Sequence, residues 1–170
     1  MESLELVVPT MAYKEQVMAY RTEAQAQGEN CAGLDKIETY EEWLDFRGRE
    51  KKNGLPPSNT WLAVRRSDGQ VVGIVNYRRV LTDFLLQYGG NIGYSVRPSE
   101  RRKGYAKEIL RLTLEECRKA GAEKVLVTCN KGNLGSERTI LANGGILENE
   151  VEDVPGLGES GVVRRYWITL

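Results

Sequence analysis

Between residues 96 and 107 the chain places groups that together suit the capture of a polyanion. The run is Val96-Arg97-Pro98-Ser99-Glu100-Arg101-Arg102-Lys103-Gly104-Tyr105-Ala106-Lys107, and three consecutive cations stand at the start of an amphipathic segment. A helix N-terminus already carries about half a positive charge, so Arg101, Arg102 and Lys103 there would each cost up to about 1 kcal/mol if left uncompensated. A bound polyanion reverses that sign. The first amides of a helix are donors without internal acceptors, and Gly104 lets a phosphate approach the main chain without meeting a side chain. The opposing reading needs no ligand: Ser99 caps the helix, Glu100 answers the dipole, and the basic trio is a solvated face.

Other chemistries are narrowed by what the chain contains. It has no histidine, which excludes Ser/His/Asp and Cys/His nucleophilic machinery, and its three cysteines, Cys31, Cys117 and Cys129, have no CxxC spacing. They are expected as reduced core thiols, with no zinc or other metal site and no disulfide framework. Lys plus Arg number 24, as do Asp plus Glu, so no overall field draws the chain to nucleic acid or to an anionic membrane, and any anion site must be local. No apolar run approaches the roughly 20 residues that span a bilayer, and the first residues lack the layout of a secretory signal, so a cytoplasmic address is expected. With 170 residues, 41% hydrophobic and 28% charged, the chain is expected to fold as one unit over 1–170.

The elements that must position the basic turn follow from periodicity. Leu4, Leu6 and Val8 alternate up to Pro9 as a first strand. Tyr13, Val17 and Tyr20 recur at helical spacing, ending near Gly28. Thr39 is a cap for a second helix that carries Trp43, Leu44 and Phe46 and closes before Asn53-Gly54, with a loop over 28–34 between the two. Residues 61–64 and 71–77 are β-rich and joined through Ser67-Asp68-Gly69 as an antiparallel hairpin. A third run, 91–96, is cut off by Pro98. Ile109, Leu110, Leu114, Cys117 and Ala120 then mark a helix with a stop at Gly121. A buried strand at 125–127, a helix over 136–143 and strands at 146–151 and 162–168 complete the chain, the last two separated by the glycine-rich loop of 155–161. The expected class is α/β, with a mixed, mostly antiparallel central sheet flanked by helices.

Arg101-x-x-Gly104-x-Ala106, preceded by the strand Ile92-Gly93-Tyr94-Ser95-Val96 and followed by the long helix, resembles the Arg/Gln-x-x-Gly-x-Gly/Ala signature of the GNAT family of N-acetyltransferases. The order of elements over nearly the whole chain is similar too. The resemblance implies acetyl-coenzyme A as co-substrate. Amides of Arg102, Lys103, Gly104, Tyr105, Ala106 and Lys107 would hold its pyrophosphate behind Arg101, and the main chain of Tyr94, Ser95 and Val96 would pair with pantetheine where the strands holding 94–96 and 125–129 splay. Asn133 and Ser136 stand at the Asn and Ala of an Asn-x-x-Ala-x-x-x-Tyr stretch, which makes Asn133 a coenzyme contact; a helix cap is the compatible alternative. The family's tyrosine, which protonates the departing thiolate, would fall at Ile140, a residue with no proton to give.

The implied reaction is direct attack of a neutral primary amine, on a small molecule or a peptide, upon the thioester. Positioning supplies much of the rate, since holding reactants as near-attack partners removes roughly 7 to 11 kcal/mol of barrier. Glu29, Asp35, Glu38 and Glu42 are candidate bases and attractors of a cationic acceptor; Tyr94, Cys129 and Ser136 are near the thiol by position. None is assigned as catalytic. A non-catalytic acyl-coenzyme A sensor is the alternative that Ile140 suggests. Relatives pair through terminal strands, and 162–168 would serve for a homodimer.

Overall fold

The computed structural model describes residues 2–29, 31, 34, 38–49, 58–152 and 161–170. In chain order it contains β1 (Leu4–Val7), α1 (Lys14–Ala26), α2 (Tyr40–Arg49), β2 (Ser58–Arg65), β3 (Val71–Arg78), β4 (Ile92–Val96), α3 (Tyr105–Lys119), β5 (Lys124–Asn130), α4 (Leu134–Ala142), β6 (Ile146–Val151) and β7 (Val163–Thr169). Short helical turns at Met11–Tyr13, Leu85–Gly89 and Pro98–Glu100 link them; the last two lie where periodicity is silent.

The strands form two antiparallel sheets, ordered β1-β2-β3-β4 and β5-β7-β6. Hairpin β2–β3 closes as its turn residues require: Gly69 sits at φ +71, and the Asp68 carboxylate accepts from the Gln70 amide at 3.1 Å. α2 starts with a reciprocal capping box. Thr39 Oγ1 accepts from the Glu42 amide, and Glu42 Oε2 accepts from the amides of Thr39 and Glu38. α3 buries Ile109, Leu110, Leu114 and Cys117 along one stripe. It stops before Gly121 at φ +86, with Arg118 and Lys119 in the last turn, where cations suit the dipole.

The first sheet is covered on both faces. Toward α3 and α4 it packs Val75, Tyr77 and Ile92 with Ile109, Leu110, Val127, Ile140 and Tyr166. Toward α1 and α2 it packs Leu62 and Ile74 with Val17, Tyr20, Tyr40 and Trp43. Cys31, Cys117 and Cys129 are buried and free, as expected of core thiols.

Three expectations are corrected. β1 ends at Val7, leaving Val8 67% exposed. Phe46 lies on α2 but turns outward, 46% exposed, instead of joining Trp43 in the core. The strand expected at 162–168 is β7, which is paired on both sides by β5 and β6, so it has no free edge for a second copy. Among the described residues no helix is long and apolar enough to cross a membrane.

Candidate functional site

The basic turn between β4 and α3 is held from behind. Glu23 on α1 takes the Arg97 guanidinium at 2.6 Å and the Ser99 hydroxyl at 2.8 Å, which pins the start of the turn to the helix. Ser99 is therefore not the cap of α3. The Arg101 guanidinium donates to the Val96 carbonyl at 3.1 Å and grips both Glu29 oxygens, one of them at 2.8 Å. That ion pair holds the Glu29 carboxyl below its ordinary value. Lys103 meets Glu100 at 2.9 Å, and Glu100 also meets Arg65 at 2.8 Å.

The three cations are thus less exposed to one another than their adjacency suggests. Arg101 and Lys103 are neutralised by carboxylates of the chain itself, whereas Arg102 makes no ion pair among the described residues. Arg102 also stands at φ +64, the one positive φ at a non-glycine among the described residues. That conformation costs an L-residue about 1–2 kcal/mol. Gly104 follows in the same left-handed region, φ +84, as the N-cap of α3, and it contributes no side-chain cap. Alternating conformations of this kind turn successive amides toward one side, a concavity suited to an anion. By helix geometry the amides of Tyr105, Ala106 and Lys107 lack acceptors one turn back.

These donors open onto a cleft of about 590 Å³. Ten of the eleven predicted site residues line it: Tyr94, Ser95, Val96, Arg101, Arg102, Gly104, Tyr105, Ala106, Lys107 and Asn133. Lys103 does not, its ammonium being directed to Glu100. Glu29, Ser136 and Thr139 line it as well. Thr139 escaped sequence reasoning, although its spacing of three from Ser136 and six from Asn133 places all three on one face of α4.

The edge of β4 and the start of α4 line the cleft, beside the place where the two sheets meet. Asn91 ties them: its amide donates to the Leu126 carbonyl at 2.7 Å, and its Oδ1 accepts from the Leu126 amide at 2.8 Å. A Cβ on Gly90 would meet the Leu126 carbonyl oxygen at 2.6 Å, so only glycine allows this approach. Beyond the tie, β4 pairs with β3 alone and β5 with β7 alone. The outer edge of β4 at 93–96 is left with main-chain groups for an extended ligand.

At the cleft's α4 side, Tyr94 Oη lies 2.9 Å from Ser136 Oγ. Burial pushes the Tyr94 hydroxyl up to about 12, only partly offset by its bond to Ser136. Asn133 caps α4, its Oδ1 accepting from the Ser136 amide at 3.1 Å, and still faces the cleft. Ile140 is fully buried in the core. Of the candidate bases, Glu29 is held by Arg101, Glu42 is spent in the capping box, Glu38 lies at the start of α2, and Asp35 lies outside the described residues. Cys129 is buried on β5, and burial raises its thiol above the ordinary value.

A phosphate-suited turn opening onto splayed strands of a mixed α/β fold defines a class of acyl-group transferases, and sequence comparison agrees. The family model of the acetyltransferase (GNAT) domain matches residues 4–146, and the chain belongs to that family; it is an acyltransferase. No curated protein sequence matches it. Among solved structures it is similar to the microcin C7 self-immunity acetyltransferase MccE in complex with acetyl-CoA and AMP, at TM-score 0.75 and 14% identity over 100% of this chain and 94% of that one. It is also similar to RimL, the ribosomal L7/L12 alpha-N-protein acetyltransferase, in complex with coenzyme A, at TM-score 0.76 and 15% identity over 99% and 94%. A third is the spermidine N-acetyltransferase of Vibrio cholerae in complex with CoA and spermine, at TM-score 0.72 and 12% identity over 98% and 95%. At these identities the likeness is one of fold.

Proposed function

We propose that residues 1–170 act as one N-acetyltransferase domain that moves an acetyl group from acetyl-coenzyme A to a primary amine of a small molecule or peptide. The observation that carries this is the uncapped start of α3. Left-handed Arg102 and Gly104 aim amides into a cleft bounded by the edge of β4 and by α4, a shape suited to a diphosphate with an amide-bearing arm. The amides of Arg102 to Lys107 take the pyrophosphate, and of the three adjacent cations Arg102 is the side chain left to add charge. Arg101 serves as scaffold, because its guanidinium is spent on Glu29 and Val96. The main chain of Tyr94, Ser95 and Val96 pairs with the pantetheine amides, and Asn133 stands beside the arm's end. Two neighbours named for a protein α-amine and for spermidine support an amine acceptor.

When bound, the coenzyme supplies a thioester. The amine lone pair forms the new C–N bond, the C–S bond breaks with its electron pair going to sulfur, the amine's proton leaves to water, and sulfur regains a proton. The Tyr94 hydroxyl, 2.9 Å from Ser136 Oγ, is placed for that last transfer and is protonated at neutral pH, as any tyrosine is; burial, which pushes it up to about 12, makes it the weaker acid, so its contribution is one of position. The sensor reading drew on Ile140; with two hydroxyls already in the cleft, a proton donor is at hand without a tyrosine there.

Calorimetric titration with acetyl-coenzyme A tests the reading, paired with thiol release across a panel of primary amines. Saturable binding with turnover of at least one amine is expected. Absence of saturable heat, or equal thermal stabilisation by adenosine alone, would remove the pyrophosphate assignment.

A further inference from the structure

Five charged side chains line the coenzyme cleft, and two of them, Glu29 and Glu100, have the wrong sign for a diphosphate. Glu29 is answered by Arg101, which lines the cleft beside it. Glu100 ends the Pro98–Glu100 turn just ahead of the amide cradle, and its side chain is only 13% exposed. A carboxylate so little solvated, left uncompensated, would repel phosphates far more strongly than one in bulk water.

Two cations meet Glu100, and both bonds go to its Oε2: Lys103 Nζ at 2.9 Å and Arg65 Nη1 at 2.8 Å. Burial opposes the charge of Glu100, but Lys103 and Arg65 outweigh it and hold the carboxyl below its ordinary value, so the group is ionised at neutral pH. The two partners are unequal. The Lys103 side chain is 50% exposed, and an ion pair to such a group is weak and screened by salt. Arg65 is as sheltered as Glu100 itself.

Arg65 stands at the end of β2 and does not line the cleft. Its aim is fixed by Asp68 in the hairpin turn, whose carboxylate takes Nε at 2.9 Å and Nη2 at 2.6 Å as a fork. Nη1 is thereby directed to Glu100 and, at 3.2 Å, to the hydroxyl of Tyr105, the first residue of α3. Glu2 lies 3.3 Å from Nε. Glu2 and Asp68 are about half exposed and hydrated, so of the three carboxylates around Arg65, Glu100 is the one whose charge water screens least.

We propose that Arg65 is a positioning residue for the coenzyme: acting through Glu100, it holds that carboxylate and cancels its charge, so that the start of α3 accepts a diphosphate. The inference rests on the coenzyme reading above and places a determinant of affinity outside the cleft.

The test is calorimetric titration of the full chain with coenzyme A at one fixed ionic strength, in the wild type, Arg65→Gln, Glu100→Gln and the double variant. Arg65→Gln leaves a net negative charge and should raise Kd about tenfold, the effect of one partly desolvated charge beside a diphosphate. Glu100→Gln leaves a net positive charge and should lower Kd. The double variant restores neutrality and should return Kd to within about threefold of the wild type, which a merely structural role of Arg65 would not do. Unchanged affinity in Arg65→Gln, or a double variant as weak as Arg65→Gln, overturns the proposal. If Arg65→Gln does not fold, Glu100→Gln decides: tighter binding supports the proposal and weaker binding overturns it. A wild type that gives no saturable heat instead refutes the coenzyme reading, and this inference falls with it.

Discussion

Two glycines at opposite ends of α3 separate backbone strain from ligand binding. Gly104 at the N-cap and Gly121 just past the C-terminus have nearly the same conformation, φ +84 and φ +86. A Cβ on Gly121 would meet nothing within 4 Å, so Gly121→Ala isolates the conformational cost. An alanine in the left-handed region costs about 1–2 kcal/mol, and for a chain of this size each kcal/mol moves the melting temperature by about 2–4 °C. Both Gly104→Ala and Gly121→Ala should therefore lower the apo melting temperature by roughly 2–8 °C. Their responses to coenzyme A should then diverge. At a coenzyme concentration of about 100 Kd, binding adds about 2.7 kcal/mol, or roughly 5–11 °C, to the wild type. Gly121→Ala should keep that increment. Gly104→Ala should lose most of it, because strain at the N-cap misaims the amides and the new methyl stands where a phosphate must approach. Scanning calorimetry with and without the ligand reads both quantities. Equal increments in the two variants would refute the placement of the diphosphate at the start of α3.

Other outcomes follow from the same geometry. Tyr94→Phe should lower kcat by about tenfold, less than the full 10²–10⁴ of a general acid because Ser136 and water remain, while coenzyme affinity is unchanged by calorimetry. Asn91→Ala removes the bond to the buried Leu126 amide and the one its Nδ2 makes to the Arg78 carbonyl at 2.9 Å. Urea denaturation should show a loss of about 2–5 kcal/mol. Glu23 and Glu29 are both held below their ordinary value of 4.5, chiefly by hydrogen bonds from Arg97 and Arg101. Their stabilisation is fully present above that value and disappears as pH falls through the lowered folded values. Thermal melts from pH 6 to pH 3 should show Glu29→Gln converging on the wild type at the acid end; a constant difference across the range would refute the ion pair's role.

Local patterns carried much of the architecture in the sequence itself. The stripe Ile109, Leu110, Leu114 and Cys117 required a helix whatever it packed against, since no other conformation puts those side chains on one face. Ser67-Asp68-Gly69 required a hairpin turn, and Thr39 with Glu42 a capped start, because each involves groups within a few residues of one another. The basic turn with Gly104 was legible for the same reason: an amide cradle is built from consecutive residues.

What tertiary structure alone decided lies between residues far apart in the chain. Adjacency made Arg101, Arg102 and Lys103 look like three equivalent phosphate ligands, yet Glu29, 72 residues away, claims the first. Ile140 marked a missing acid, while Tyr94 and Ser136, 42 residues apart, bring hydroxyls together where the sheets part. Helical and strand periods report which face of an element is buried. They carry no record of which distant charge or hydroxyl will meet it there, because that is set by how the sheets pack and where they separate.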